Sequence, residues 1–186
     1  MNYTTPLDVL GISGSLRKAS FNTAALRAAR DLAPDGMRLR IRTLEDIPIY
    51  NEDVRARGYP EPVQALRDEI AAADALLIVT PEYNYSIPGV LKNAIDWASR
   101  PPDQPFDGKP IAIMGASPGR LGTARAQYHL RQCFVALNAL VLNRPEVMVA
   151  GASAIFDESG SVTDEATRGH IAKQLEALHA WVRRLE

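Results

Sequence analysis

Short apolar runs of a length suited to buried strands recur along the chain at residues 7–12, 37–42, 75–80 and 111–116, with a fifth within 139–149. Between them the apolar positions change period. Ala25, Ala29 and Leu32 follow the first run, Val63, Leu66, Ile70 and Ala73 the second, and Leu130, Phe134 and Leu137 the fourth, all at helical spacing. Near the C-terminus Ile171, Leu175, Leu178, Val182 and Leu185 step by four and three, one stripe of a closing helix. The pattern therefore predicts alternating strands and helices over a single domain spanning 1–186.

Strands alternating with helices long enough to cross over require a parallel sheet covered on both faces, and right-handed crossovers leave few topologies. The expected fold is α/β, a flavodoxin-like doubly wound sheet of five parallel strands in the order 2-1-3-4-5. In such sheets a ligand binds beyond the carboxyl ends of the strands, where the strand order reverses. The loops beginning at Ser13, Pro81 and Ser117 are then the informative ones.

Composition narrows the class of function. With 21 Lys+Arg against 22 Asp+Glu the net charge is −1, so nothing draws the chain to nucleic acid or acidic lipid. A single cysteine, Cys133, forms no internal disulfide and no four-ligand zinc site, which favours a reducing cytoplasm. The start MNYTTPLD has neither a basic flank nor a long apolar stretch, and no apolar run approaches the roughly 18 residues of a membrane span.

The first loop, residues 13–23, carries Ser13, Ser15, Ser20, Thr23, Asn22 and Arg17 ahead of an alanine-rich helix. Hydroxyl donors, a planar guanidinium and unpaired helix-start N–H groups suit a terminal phosphate. The segment is neither G-x-x-x-x-G-K-[ST] nor G-x-G-x-x-G, so a phosphomonoester fits better than a triphosphate or a dinucleotide pyrophosphate. Ser20 or Asn22 acting as an ordinary helix cap is the competing explanation. The second loop, Pro81, Glu82, Tyr83, Asn84, Tyr85 and Ser86, offers tyrosine rings and turn N–H groups to a planar heterocycle. The third, opening at Ser117, is small and glycine-containing, which permits close backbone approach.

No histidine sits in a triad or metal-ligand spacing, and Cys133 beside Phe134 reads as a packing residue. With neither a catalytic acid/base set nor a metal site, the residues suit redox work in which a bound cofactor carries the chemistry.

In these loops, together with Leu91-Lys92-Asn93-Ala94-Ile95-Asp96-Trp97 and Tyr128-His129-Leu130-Arg131-Gln132, the sequence resembles the NADPH-dependent FMN reductase family, in particular its chromate and quinone reductase branch. The resemblance spans nearly the whole chain. It implies that Ser15, Arg17, Ser20 and Asn22 hold the FMN phosphate, that Pro81, Glu82, Tyr83, Asn84 and Tyr85 line the isoalloxazine ring, and that Ser117 closes the other side. It also implies NADPH or NADH as co-substrate, a small-molecule electron acceptor such as a quinone or chromate, and a homodimer or homotetramer with Arg125, Tyr128 and Glu146 at a subunit contact. Many relatives carry other small residues where Pro118-Gly119-Arg120 stands here. Free FMN as substrate and a flavodoxin-like electron carrier are the alternatives, and Lys18 and Arg120 flank the expected crevice as candidates for the extra phosphate of NADPH.

Overall fold

The computed structural model describes residues 5–185; Met1 to Thr4, the first half of the N-terminal stretch read above for export signals, lie outside the described residues. The elements are β1 (Leu7–Ser13), α1 (Phe21–Asp31), β2 (Met37–Arg42), α2 (Glu52–Arg55), α3 (Glu61–Ala72), β3 (Ala75–Val79), α4 (Gly89–Ala98), β4 (Pro110–Ala116), α5 (Ala124–Ala136), β5 (Leu140–Val141), β6 (Val147–Val149) and α6 (Glu165–Leu185). The parallel sheet runs β2-β1-β3-β4-β5, the flavodoxin-like order that the alternation predicts.

Alternate residues of each central strand supply opposite faces. Val9, Leu77, Val79 and Met114 pack with α1 and α6 through Leu26, Ile171, Leu175 and Leu178. Leu10, Leu76, Ile78 and Ile113 pack with α3, α4 and α5 through Leu66, Ile70, Trp97 and Phe134. All of these side chains are buried. A strand covered on both faces has no polar position to give up, which is why the runs read as continuous rather than alternating.

The fifth strand departs from expectation. Instead of one strand there are two short ones: β5 pairs with the first residues of β4, and β6 with its last three. Pro145, in the connection between them, has no N–H to donate, so the ladder on β4 is interrupted there. The connection between β2 and α3 also holds α2, one short turn of helix that the apolar pattern does not announce. No helix among the described residues is long and apolar enough to cross a membrane.

Candidate functional site

β1, β3 and β4 end side by side, with Ser13 beside Val79 and Val79 beside Met114. The loops that follow enclose one cavity lined by Ser15, Arg17, Ser20, Phe21, Asn22, Pro81, Glu82, Tyr83, Ala116, Ser117 and Pro118. Eight of the ten residues singled out from the sequence are in that lining. Asn84 and Tyr85 are not: both are exposed in the turn closed by reciprocal backbone bonds between Tyr83 and Ser86. Phe21, Ala116 and Pro118 line the cavity without having been singled out.

At one end the chemistry is that of an anion site. Ser20 caps α1, its Oγ accepting from the N–H groups of Asn22 and Thr23. Among the described residues, the N–H groups of Leu16, Lys18, Ala19, Ser20 and Phe21 donate to nothing. Unpaired amides before a helix, two serine hydroxyls and a guanidinium form a donor set for phosphate oxygens. Arg17 is exposed, its guanidinium 5.2 Å from the Phe21 ring centroid and donating to the Ala19 carbonyl. Ser13, fully buried, is held by the Thr23 hydroxyl at 2.8 Å and fixes the loop to the helix behind it.

Asn22 has a task that its position in the sequence does not reveal. Its amide donates to the Ala116 carbonyl at 2.9 Å and accepts from the Ala116 N–H at 2.8 Å, so it pins the start of α1 to the end of β4.

Glu82 lines the cavity and has a further task. Its side chain, 7% exposed, accepts from the backbone N–H groups of Arg125 and Ala126 and forms an ion pair with the Arg125 guanidinium. Thr123, the residue before α5, has a left-handed backbone and gives the helix no side-chain cap, so the carboxylate of a different loop performs that function. Burial would raise the Glu82 pKa, but the Arg125 guanidinium and the two backbone N–H groups outweigh it and hold the carboxyl below the ordinary glutamate range. Arg125 in turn covers the Tyr85 ring, 3.4 Å from its centroid. The pair thereby fastens a loop in which Asn84 and Tyr85 both have positive φ, 49° and 67°, values costly for residues with a Cβ. Glycine is needed nearby: a Cβ on Gly115 would lie 2.0 Å from Thr123 Oγ1 and 2.3 Å from the Thr80 carbonyl, so its absence lets the two loops meet over β4.

At the other end the cavity is lined by Pro81, Tyr83 and Pro118, while the N–H groups of Glu82, Asn84 and Tyr85 donate to nothing among the described residues. Ring faces beside free amides suit a flat heterocycle with carbonyl and nitrogen edges. The donor set thus fits FMN at both ends.

Cys133 lies on α5, half-buried, and burial pushes its thiol above the usual range, the condition of an unreactive cysteine. His129 is exposed on the same helix, with Nδ1 3.1 Å from the Ser86 hydroxyl. Arg125, placed by resemblance at a subunit contact, is engaged within its own chain.

Residues 7–154 match the family model described as NADPH-dependent FMN reductase. The chain is 60% identical over 179 residues to an NAD(P)H-dependent FMN reductase of Pseudomonas aeruginosa, covering 96% of this chain and 97% of that protein. It is 46% identical over 183 residues to the quinone reductase of Escherichia coli, covering 97% of each. Among solved structures, the flavoenzyme NAD(P)H:(acceptor) oxidoreductase FerB of Paracoccus denitrificans superposes with a TM-score of 0.85 at 39% identity, over 96% of this chain and 98% of that one. The match over residues 7–154 and the identity to relatives along nearly the whole chain make this protein, whose cavity at the ends of β1, β3 and β4 has a lining suited to a phosphate and a flat ring, a member of the NADPH-dependent FMN reductase family.

Proposed function

We propose that the protein is an NAD(P)H-dependent FMN oxidoreductase that reduces quinones or similar small acceptors, as a single flavin-binding domain spanning 1–186. The observation that carries this reading is the two-ended cavity: phosphate donors around Ser15, Arg17 and Ser20, and ring-facing groups around Pro81, Tyr83 and Pro118. The relatives named for quinone and FMN reduction support it. When bound, FMN supplies the capacity to accept hydride from reduced nicotinamide and return electrons to an acceptor.

The chain's own residues do the rest. Ser15, Ser20, the free loop amides and Arg17 anchor the phosphate, while Asn22 holds the α1 start and the β4 end at a fixed separation. Pro81, Tyr83 and Pro118 border the ring, with Ser117 on the far side. Glu82 and Arg125 act as positioning residues that keep the 82–86 turn in its left-handed shape, so that its amides face the ring edge. Tyr83, 55% exposed, leaves the mouth open, which suits two different substrates using one face in turn.

The assembly belongs to the same reading. Tyr85, Tyr128 and Val135 are exposed on α5 and the adjoining turn, and we assign this side to the contact of a homodimer or homotetramer. Tyr128, bonded to Glu146 within the chain, lies on it. A cytoplasmic setting accords with a lone cysteine kept as a thiol.

Steady-state reduction of a benzoquinone at several fixed NADPH concentrations tests the proposal. Parallel double-reciprocal lines are expected, because coenzyme and acceptor take turns at one site. Lines that converge would contradict the shared face, and turnover of free FMN without turnover of quinone would favour a flavin reductase that releases its product.

A further inference from the structure

A second cavity adjoins the flavin site. Its volume is about 500 Å³, and Arg17, Ser20 and Phe21 line both cavities, so the two meet around the first turn of α1. One wall is the outer face of α1; the other is the turn 157–160, between the bridged residues Phe156 and Val162.

Three cations reach this space: Arg17, Lys18 and Arg27. Arg27 is the informative one. It is half-buried, and Gly160 makes room for it, since a Cβ at that position would lie 2.9 Å from the guanidinium Nη2. Gly160 also has a φ of +81°, so the turn places a residue without a side chain against the arginine. Yet among the described residues neither Arg27 nor Lys18 has a hydrogen-bond or ion-pair partner. The two acids on the opposite wall do not neutralise them. Asp157 is engaged by the Ser159 hydroxyl at 2.6 Å and the Ser161 N–H at 2.9 Å, and Glu158 is exposed at the rim with no partner among the described residues.

A guanidinium braced against a glycine, with its donors free beside a cavity, suits an anion with several oxygens, because its planar fork pairs bidentately with phosphate. Ala24 and Phe21 add apolar surface for a flat ring next to it. A ligand with its reactive end against the flavin ring and its other end beyond the flavin phosphate needs such a continuation. NADH and NADPH both have the length, and only NADPH carries a further phosphomonoester at its adenosine end.

We infer that the second cavity receives the 2′-phosphoadenosine end of NADPH, with Arg27 and Lys18 on the 2′-phosphate. Arg120 is exposed and lines neither this cavity nor the flavin site, so of the two cations that the sequence offered for this phosphate only Lys18 is placed to reach it. The inference rests on the reading of the protein as an NAD(P)H-dependent flavoenzyme.

The test compares kcat/KM for NADPH with that for NADH in the FMN-loaded protein. Arg27→Ala is expected to lower the NADPH/NADH ratio about tenfold, as the loss of a charge-assisted bond at a partly exposed site implies. Glu158→Gln, at an exposed residue whose loss does not threaten the fold, is expected to raise the ratio by removing a repelling charge. Adenosine 2′,5′-bisphosphate should compete with NADPH and not displace FMN. A ratio unmoved by both substitutions, or a bisphosphate that displaces FMN, would overturn the inference while leaving the flavoenzyme reading intact. Equal slowing with both coenzymes in Arg27→Ala would also overturn it, since that is the mark of a structural arginine. Flavin reduced by neither coenzyme would overturn both.

Discussion

Arg17 sits where the flavin phosphate is expected, with its guanidinium over Phe21. Replacing it with Ala should weaken FMN binding by about 1.5–3 kcal/mol, the worth of a charged hydrogen bond. Titrating apoprotein with FMN measures this, and an unchanged dissociation constant would remove the anchor role. Glu82 leads to a prediction about acid. Its folded-state pKa is depressed, so the stability it contributes is present above its unfolded pKa and is lost as pH falls through the folded value. The same sign holds for Asp8, where burial is outweighed by hydrogen bonds from Arg40 and Arg38. Urea midpoints should therefore fall as pH drops below about 4, and Glu82→Gln should make that fall shallower. A wild type and variant with parallel pH profiles would contradict the capping role. At this scale the sequence was informative about residue types and silent about partners. Ser15, Arg17 and Ser20 are legible as a donor-rich stretch before a helix, although the cap that Ser20 supplies to α1 is also the ordinary use of such a residue. The Asn22 amide and the Glu82 carboxylate find groups 94 and 43 residues away, which no local spacing encodes.

The elements that carry the site are strands whose periods are unambiguous, while the supports at the opposite end of the sheet are harder to read. Arg67, on α3, is buried and has no acidic partner among the described residues: it donates to the carbonyls of Ala98, Arg100, Pro102 and Asp103 and stacks on Tyr59, 4.4 Å from the ring centroid. It clamps the turn that carries α4 into β4. Arg67→Met should lower unfolding stability by about 2–4 kcal/mol, since several carbonyls lose a charged donor at once. FMN affinity should hardly change, because the flavin loops leave the other end of the strands. Denaturant unfolding and flavin titration of the same variant check both parts; a large loss of affinity with no loss of stability would contradict them. Apolar runs of five to seven residues announce β1, β3 and β4, and the alternation of Met37, Leu39 and Ile41 with arginines announces β2 at the sheet edge. The break between β5 and β6 and the single turn of α2 are set by a proline and a short polar stretch, and such brief elements lack enough repeats for a period to show.

For the whole molecule, the strand order follows from the alternation of elements and the handedness of crossovers, and it places three loops at one edge. How many copies assemble is not written in that alternation, because an exposed aromatic face reads the same whether it meets solvent or a partner. Light scattering of the flavin-loaded protein should return a multiple of the 20.3 kDa chain mass, and the monomer mass at micromolar concentration would contradict the proposed assembly. Net charge of −1 argues against docking by electrostatic steering, which is what a protein-to-protein electron carrier would use. The visible spectrum of the purified, FMN-supplemented protein before and after anaerobic addition of NADPH is the decisive measurement. The proposed function requires a yellow protein whose absorbance bleaches rapidly. A protein that takes up no FMN, or one that stays yellow with both NADPH and NADH, would contradict it.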